Sequence, residues 1–123
     1  MPTRKPPVPR ESAIQKAALD ALHAAGFWAM RVNSGAIVIG KGADRRFFKG
    51  APKGTSDILG ALPPRGRLFV VEMKRPGKVR TPAQVAFQDR IIALGGLAST
   101  ESSAADTLRT VRGWAAQERA VAL

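Results

Sequence analysis

The segment Leu68-Phe69-Val70-Val71-Glu72-Met73-Lys74 constrains this chain more than any other. Its run of large and β-branched apolar residues reads as the strongest strand in the sequence. Side chains alternate along a strand, so Phe69, Val71 and Met73 share one face, while Val70, Glu72 and Lys74 share the other. A carboxylate and an ammonium therefore leave the end of an apolar strand side by side. Burying either charge alone is costly, so each needs a partner or an ion.

The preceding segment, 57–62, is apolar after its first residue, Asp57, and follows a loop of Gly-Ala-Pro-Lys-Gly-Thr-Ser. Pro63-Pro64-Arg65-Gly66 is turn chemistry, so 57–62 and 67–74 read as a hairpin. That pairing brings Asp57 near Glu72. Two close carboxylates repel each other, and a divalent cation relieves the repulsion. Mg²⁺ suits such a site, because it binds through one or two carboxylates and keeps several waters; Mn²⁺ is the alternative. Lys74, beside the ion, fits the orientation of a water or the neutralisation of phosphate charge. The same residues also fit a plainer account, in which Glu72 and Lys74 form a same-face ion pair and Asp57 caps its loop.

The rest of the chain suggests what surrounds this hairpin. Residues 11–25 show helical periodicity, with Ile14, Ala17, Ala18, Ala21, Leu22 and Ala25 on one face and Gly26 as the stop. Strands are expected at 27–32 and 36–39, with a third, short one at 45–49, a turn at Asn33-Ser34-Gly35 and loop at 40–43. Thr81-Pro82 opens a helix to about Leu94, ended by Gly95-Gly96. A short strand at 97–100 follows. Ser103 and Asp106 form a capping-box pattern for a last helix to about Ala120. The order predicts one α/β domain over 11–123, a mixed sheet flanked by helices. Residues 1–10, with four prolines among basic residues, read as a flexible arm. There is no cysteine, so disulfides and thiolate metal sites are excluded. No segment resembles a signal peptide or a membrane span, and cytoplasmic residence is the expectation.

Twenty lysines and arginines stand against nine acids, a formal charge of +11. Such an excess in a small domain draws polyanions, nucleic acid first. Lys41, Arg45, Arg46, Lys49 and Lys53 precede the proposed hairpin, and Arg75, Lys78 and Arg80 follow it. All eight are candidate phosphate contacts, and Lys49, Lys53, Arg75, Lys78 and Arg80 are assigned to the DNA-binding set. His23 reads as a surface residue, Trp28 and Trp114 as core or interface, Phe47-Phe48 as packing, and Arg109, Arg112 and Arg119 as surface.

Gly54-Thr55-Ser56-Asp57-Ile58 followed by Glu72-Met73-Lys74 resembles the PD-(D/E)XK nuclease signature. More narrowly, the chain is similar to the VRR-NUC family, the virus-type replication-repair nuclease domain. The similarity runs from about Glu11 to Thr107. It takes in Arg31-Val32-Asn33-Ser34-Gly35, Glu72-Met73-Lys74-Arg75-Pro76-Gly77, Thr81-Pro82-Ala83-Gln84 and Gly95-Gly96-Leu97-Ala98. Ser56 stands where the superfamily name has proline.

The resemblance implies a PD-(D/E)XK-like fold, with Asp57 and Glu72 as metal ligands helped by the backbone carbonyl of Met73. It implies Lys74 at the attacking water or scissile phosphate, Glu11 as a further ligand to the metal or its water, and Gln84 as an orienting group. It also brings Arg31 and Asn33 into the DNA-contacting set. Two of these roles have local alternatives: Gln84 completes a capping box with Thr81, and Glu11 is favoured by the helix dipole. The expected function is a metal-dependent DNA endonuclease acting on branched DNA, including four-way junctions, as a homodimer. The rival is a basic nucleic-acid-binding protein without catalysis.

Overall fold

The computed structural model describes residues 7–34 and 36–122; the side chains of 36, 37 and 47–49 fall outside the description. Most of the expected arm, Gly35 of the expected turn, and the side chains of Phe47, Phe48 and Lys49 therefore lie outside the described residues. Residues 7–10 are exposed and have no regular structure.

Three helices and six strands follow in the order α1 (Glu11–Ala24), β1 (Trp28–Arg31), β2 (Ala36–Ile39), β3 (Arg46–Lys49), β4 (Ile58–Leu62), β5 (Arg67–Met73), α2 (Pro82–Ala93), β6 (Leu97–Glu101) and α3 (Ala104–Ala122). A short 3-10 turn at Gly42–Asp44 interrupts the stretch expected to be plain loop. The main sheet has the order β1-β4-β5-β6. β1 pairs antiparallel with β4, β4 antiparallel with β5, and β5 parallel with β6. The expected mixed sheet flanked by helices is present, and so is the β4–β5 hairpin. The strands β2 and β3 do not join it; they form a separate two-stranded ribbon.

The alternation read in β5 sorts its residues as expected. Phe69, Val71 and Met73 join Ile58, Leu62 and Ala29 in the core, against Ile14, Ala18 and Leu22 of α1 and Val111 and Ala115 of α3. The opposite face, bearing Glu72, meets α2 through Gln84. Burying Phe69 completely stabilises the fold by roughly 2–3 kcal/mol, and the ring needs room across the hairpin. Its register partner is Gly60. A Cβ there would stand 2.3 Å from the Phe69 ring and 2.6 Å from the Trp28 carbonyl oxygen, so only glycine fits. Trp114 tilts against the same ring at 5.9 Å.

The buried stripe of α1 differs in detail from the expected one. Gln15 is buried and Ala17 is exposed, so the helix is rolled toward its glutamine. Trp28 is 62% exposed and does not enter the core. His23 is exposed, as expected, with Nε2 2.8 Å from the Ala29 carbonyl oxygen.

Glu118 of α3 carries a role that sequence did not suggest. Its buried carboxylate accepts from Arg67 at 2.7 Å and Arg65 at 3.2 Å. The Arg67 hydrogen bond foremost, helped by Arg65, holds its carboxyl below the usual range. The last helix is thereby tied to the β4–β5 hairpin. No helix among the described residues is long and apolar enough to cross a membrane.

Candidate active site

Three elements deliver three carboxylates to one point. Asp57 immediately precedes β4, and its carbonyl oxygen accepts from the Val32 N–H at 2.8 Å. The antiparallel register pairs Ile58 with Val71, which puts Asp57 beside Glu72 at the same end of the hairpin. Glu11 arrives as the first residue of α1. One carboxylate oxygen from each of Glu11, Asp57 and Glu72 lies within 4.8 Å of the others. In a chain with only nine acids and a charge of +11, this convergence is against the trend of the composition.

Each carboxylate is held differently. Asp57 Oδ2 accepts the Met73 N–H at 2.8 Å. Glu72 is 1% exposed. Its Oε1 accepts from Gln84 Nε2 at 2.9 Å and lies 3.9 Å from Lys74 Nζ. Its Oε2 is buried without a hydrogen-bond partner. Such an atom is expensive, because a desolvated acceptor costs about 1–3 kcal/mol when left unpaired, and more when charged.

Electrostatics follow from this geometry. Burial raises the Glu72 carboxyl most, and the neighbouring Asp57 charge adds to it, giving about 8 despite the pull of Lys74. Burial also raises Asp57, partly offset by the Met73 N–H. The pair thus resists carrying two negative charges, a repulsion that a proton shared between the two carboxyls or a bound cation relieves. The donor set fits a hard divalent cation: oxygen ligands, one of them lacking any other partner, and no thiolate or imidazole.

Gln84 fills both roles that its sequence left open. Its Oε1 accepts the Thr81 N–H at 2.8 Å and its N–H donates to Thr81 Oγ1 at 3.2 Å, closing the capping box. The remaining amide nitrogen reaches Glu72. The cap fixes the side chain in the orientation that the carboxylate uses. Lys74 follows directly after β5, buried, with its N–H given to the Glu101 carbonyl oxygen at 2.9 Å. Met73 meets the site through its N–H. Gly54, at φ +94°, lets the loop before Asp57 press on the first turn of α2. A Cβ there would fall 2.5 Å from the Ala83 carbonyl oxygen.

Two polar residues of this neighbourhood escaped the sequence reading. Gln88, 2% exposed, uses its whole amide. Its Oε1 accepts from Arg80 at 2.8 Å and from Thr100 Oγ1 at 3.2 Å. Its Nε2 donates to the Ser99 carbonyl oxygen at 2.7 Å and to Ser56 Oγ at 3.4 Å. Ser56, in the place of the signature proline, is itself buried next to Asp57. The available signal was spacing: Gln88 lies four residues after Gln84 and so shares its helix face.

The basic residues divide. Arg31, Asn33, Lys53 and Lys78 are exposed, and Arg75 and Arg80 are half-buried. Arg75 Nε has no hydrogen-bond acceptor, whereas Arg80 is engaged by Gln88. Lys78, Val79, Arg80, Val85 and Thr100 line an open cleft of about 360 Å³. Thr100 is the register partner of Glu72, so the cleft lies next to the carboxylates along the sheet. The side chain of Lys49 lies outside the described residues.

No protein-family model matches the chain, and no curated protein matches it either.

Proposed function

We propose that this chain is a metal-dependent DNA endonuclease of the VRR-NUC type, with a PD-(D/E)XK-like fold. The observation that carries the reading is the meeting of Glu11, Asp57 and Glu72 in a strongly basic chain, with Glu72 Oε2 buried and unpartnered. A purely binding role gives no reason to bury a carboxylate beside two others.

In this reading Asp57, Glu72 and Glu11 hold Mg²⁺ or Mn²⁺, with the Met73 carbonyl as a further ligand. The ion, when bound, lowers the pKa of a water and offsets charge on the phosphoryl oxygens. Lys74 orients the attacking water or faces the developing phosphate charge. Gln84 keeps Glu72 Oε1 in place and leaves Oε2 for the ion. Arg75 and the exposed Lys78 and Lys53 take phosphates on either side. Branched DNA, including four-way junctions, is the proposed substrate. A homodimer is the proposed assembly, since two-fold protein symmetry suits a two-fold junction. Cytoplasmic residence completes the proposal.

One panel tests it: duplex, single strand, flap and four-way junction, each with EDTA, Mg²⁺ or Mn²⁺, and matched RNA for comparison. Cleavage is expected only with metal, strongest on branched DNA, and lost in Glu72→Ala while DNA binding stays. Cleavage that persists in that variant or in EDTA would sink the mechanism.

A further inference from the structure

The β2–β3 ribbon does not join the main sheet. Its strands pair only with each other, Val38 opposite Phe47 and Ile39 opposite Arg46. Consecutive strand residues point to opposite faces. Val38 is 52% exposed and Ile39, the next residue, 56%. Both ribbon faces are therefore bare at this end. An isolated two-stranded hairpin is marginal in water and gains stability from something to lie against. Exposed Lys41 and Arg46 flank the two apolar residues at the ribbon's end.

The ribbon also has a fixed origin. At its base Ser34 bridges Ala51, and the Ala51 N–H donates to the Asn33 carbonyl oxygen at 2.9 Å. Val32, one residue earlier, is bonded to Asp57. The ribbon thus springs from the end of the sheet that carries the carboxylates. Four paired residues per strand extend it by roughly 13 Å, or about four base pairs of duplex at 3.4 Å each.

We propose that the β2–β3 ribbon is a DNA-docking arm that lies in the major groove of duplex beside the carboxylate site. Ile39, on the face it shares with its cross-strand partner Arg46, meets base edges and thymine methyls, while Lys41 and Arg46 take the flanking phosphates. The fit is steric as well as electrostatic. A ribbon with strands about 4.8 Å apart enters the major groove of B-DNA, about 12 Å wide, and not the deep, narrow one of A-form RNA. The inference takes DNA as the ligand from the proposed function, but it does not depend on cleavage.

The test uses the full chain without divalent metal on a linear duplex. Dimethyl sulfate, which methylates guanine N7 in the major groove, reads contact directly. Wild type is expected to protect N7 positions. V38S/I39S is expected to lose that protection and bind about fivefold or more weakly. K41A/R46A is expected to make the slope of log K against log salt shallower by about 2, near 0.9 for each phosphate. All four side chains are exposed, so the variants should melt like wild type. Absent N7 protection with unchanged affinity and salt slope overturns the proposal. So do variants that change sedimentation at unchanged DNA affinity, which would assign the ribbon to a second copy of the chain. A wild type that protects N7 here yet cuts none of the DNA substrates when Mg²⁺ or Mn²⁺ is supplied keeps the ribbon assignment and removes the nuclease reading.

Discussion

Replacing Glu72 with glutamine keeps the side chain's shape and removes its charge, and in EDTA above neutral pH the variant is expected to be the more stable protein. The Glu72 carboxyl is lifted from 4.5 to about 8 in the fold, mainly by burial and by Asp57. The folded state therefore keeps a proton that the unfolded chain has already lost. Its stabilising contribution is full below the ordinary carboxylate range and disappears as pH rises toward 8. The whole span corresponds to roughly 4–5 kcal/mol, at about 1.4 kcal/mol per tenfold change in proton affinity. Asp57 shares the strain, so about 2 kcal/mol is a fair share for Glu72 alone. For a domain of this size that is about 8 °C in Tm. Glutamine can still accept from Gln84, and its amide nitrogen replaces the unpartnered oxygen. Thermal melts of both proteins in EDTA at pH 5 and pH 8.5 supply the assay. The curves should nearly coincide at pH 5, with the variant higher at pH 8.5. Adding Mn²⁺ should then raise the wild type and leave Glu72→Gln in place. A variant that melts at or below wild type at pH 8.5, or a gap independent of pH, refutes the reasoning about the buried carboxylate.

Thr81→Ala removes only the cap of α2 and should cost about 1 kcal/mol; Gln84→Ala should cost a similar amount in urea melts but reduce single-turnover cleavage at least tenfold further. Gln88→Met leaves Arg80, Thr100 and the Ser99 carbonyl without their shared amide and should destabilise by roughly 2 kcal/mol or more, read by urea denaturation. Gly54→Ala adds a Cβ at positive φ against Ala83 and should cost roughly 1–3 kcal/mol. Calorimetry should also show weakened Mn²⁺ binding in that variant, because the loop it displaces leads into Asp57.

Much of the candidate site was legible because its signals are local. The period of two in β5 separated Phe69, Val71 and Met73 from Glu72, and the core divides along that line. The proline-rich turn set the hairpin, and the hairpin register put Asp57 beside Glu72. Thr81-x-x-Gln84 announced its capping box, which formed. The role of Glu11 was not legible in this way. Its carboxylate reaches the cluster only because α1 packs across the sheet, and only the resemblance pointed to it.

What escaped the sequence depends on contacts far apart along the chain. Glu118 looks like one more charge on a surface helix until Arg65 and Arg67 arrive from the hairpin. Gln88 looks like a neutral helix residue until Ser56, Ser99 and Thr100 surround it. The ribbon's strands were readable as strands, but their exclusion from the sheet was not. Sequence alternation records which residues a strand can bury, and only the tertiary arrangement decides whether anything covers them. By itself the sequence determined the elements, the hairpin and its charged end, because backbone geometry and side-chain period act over a few residues. Only the packed fold sets the distances at which Glu11 and the Gln84 amide meet the pair, and leaves Glu72 Oε2 buried without a hydrogen-bond partner. Those facts arise from packing and desolvation, which no short stretch of chain contains.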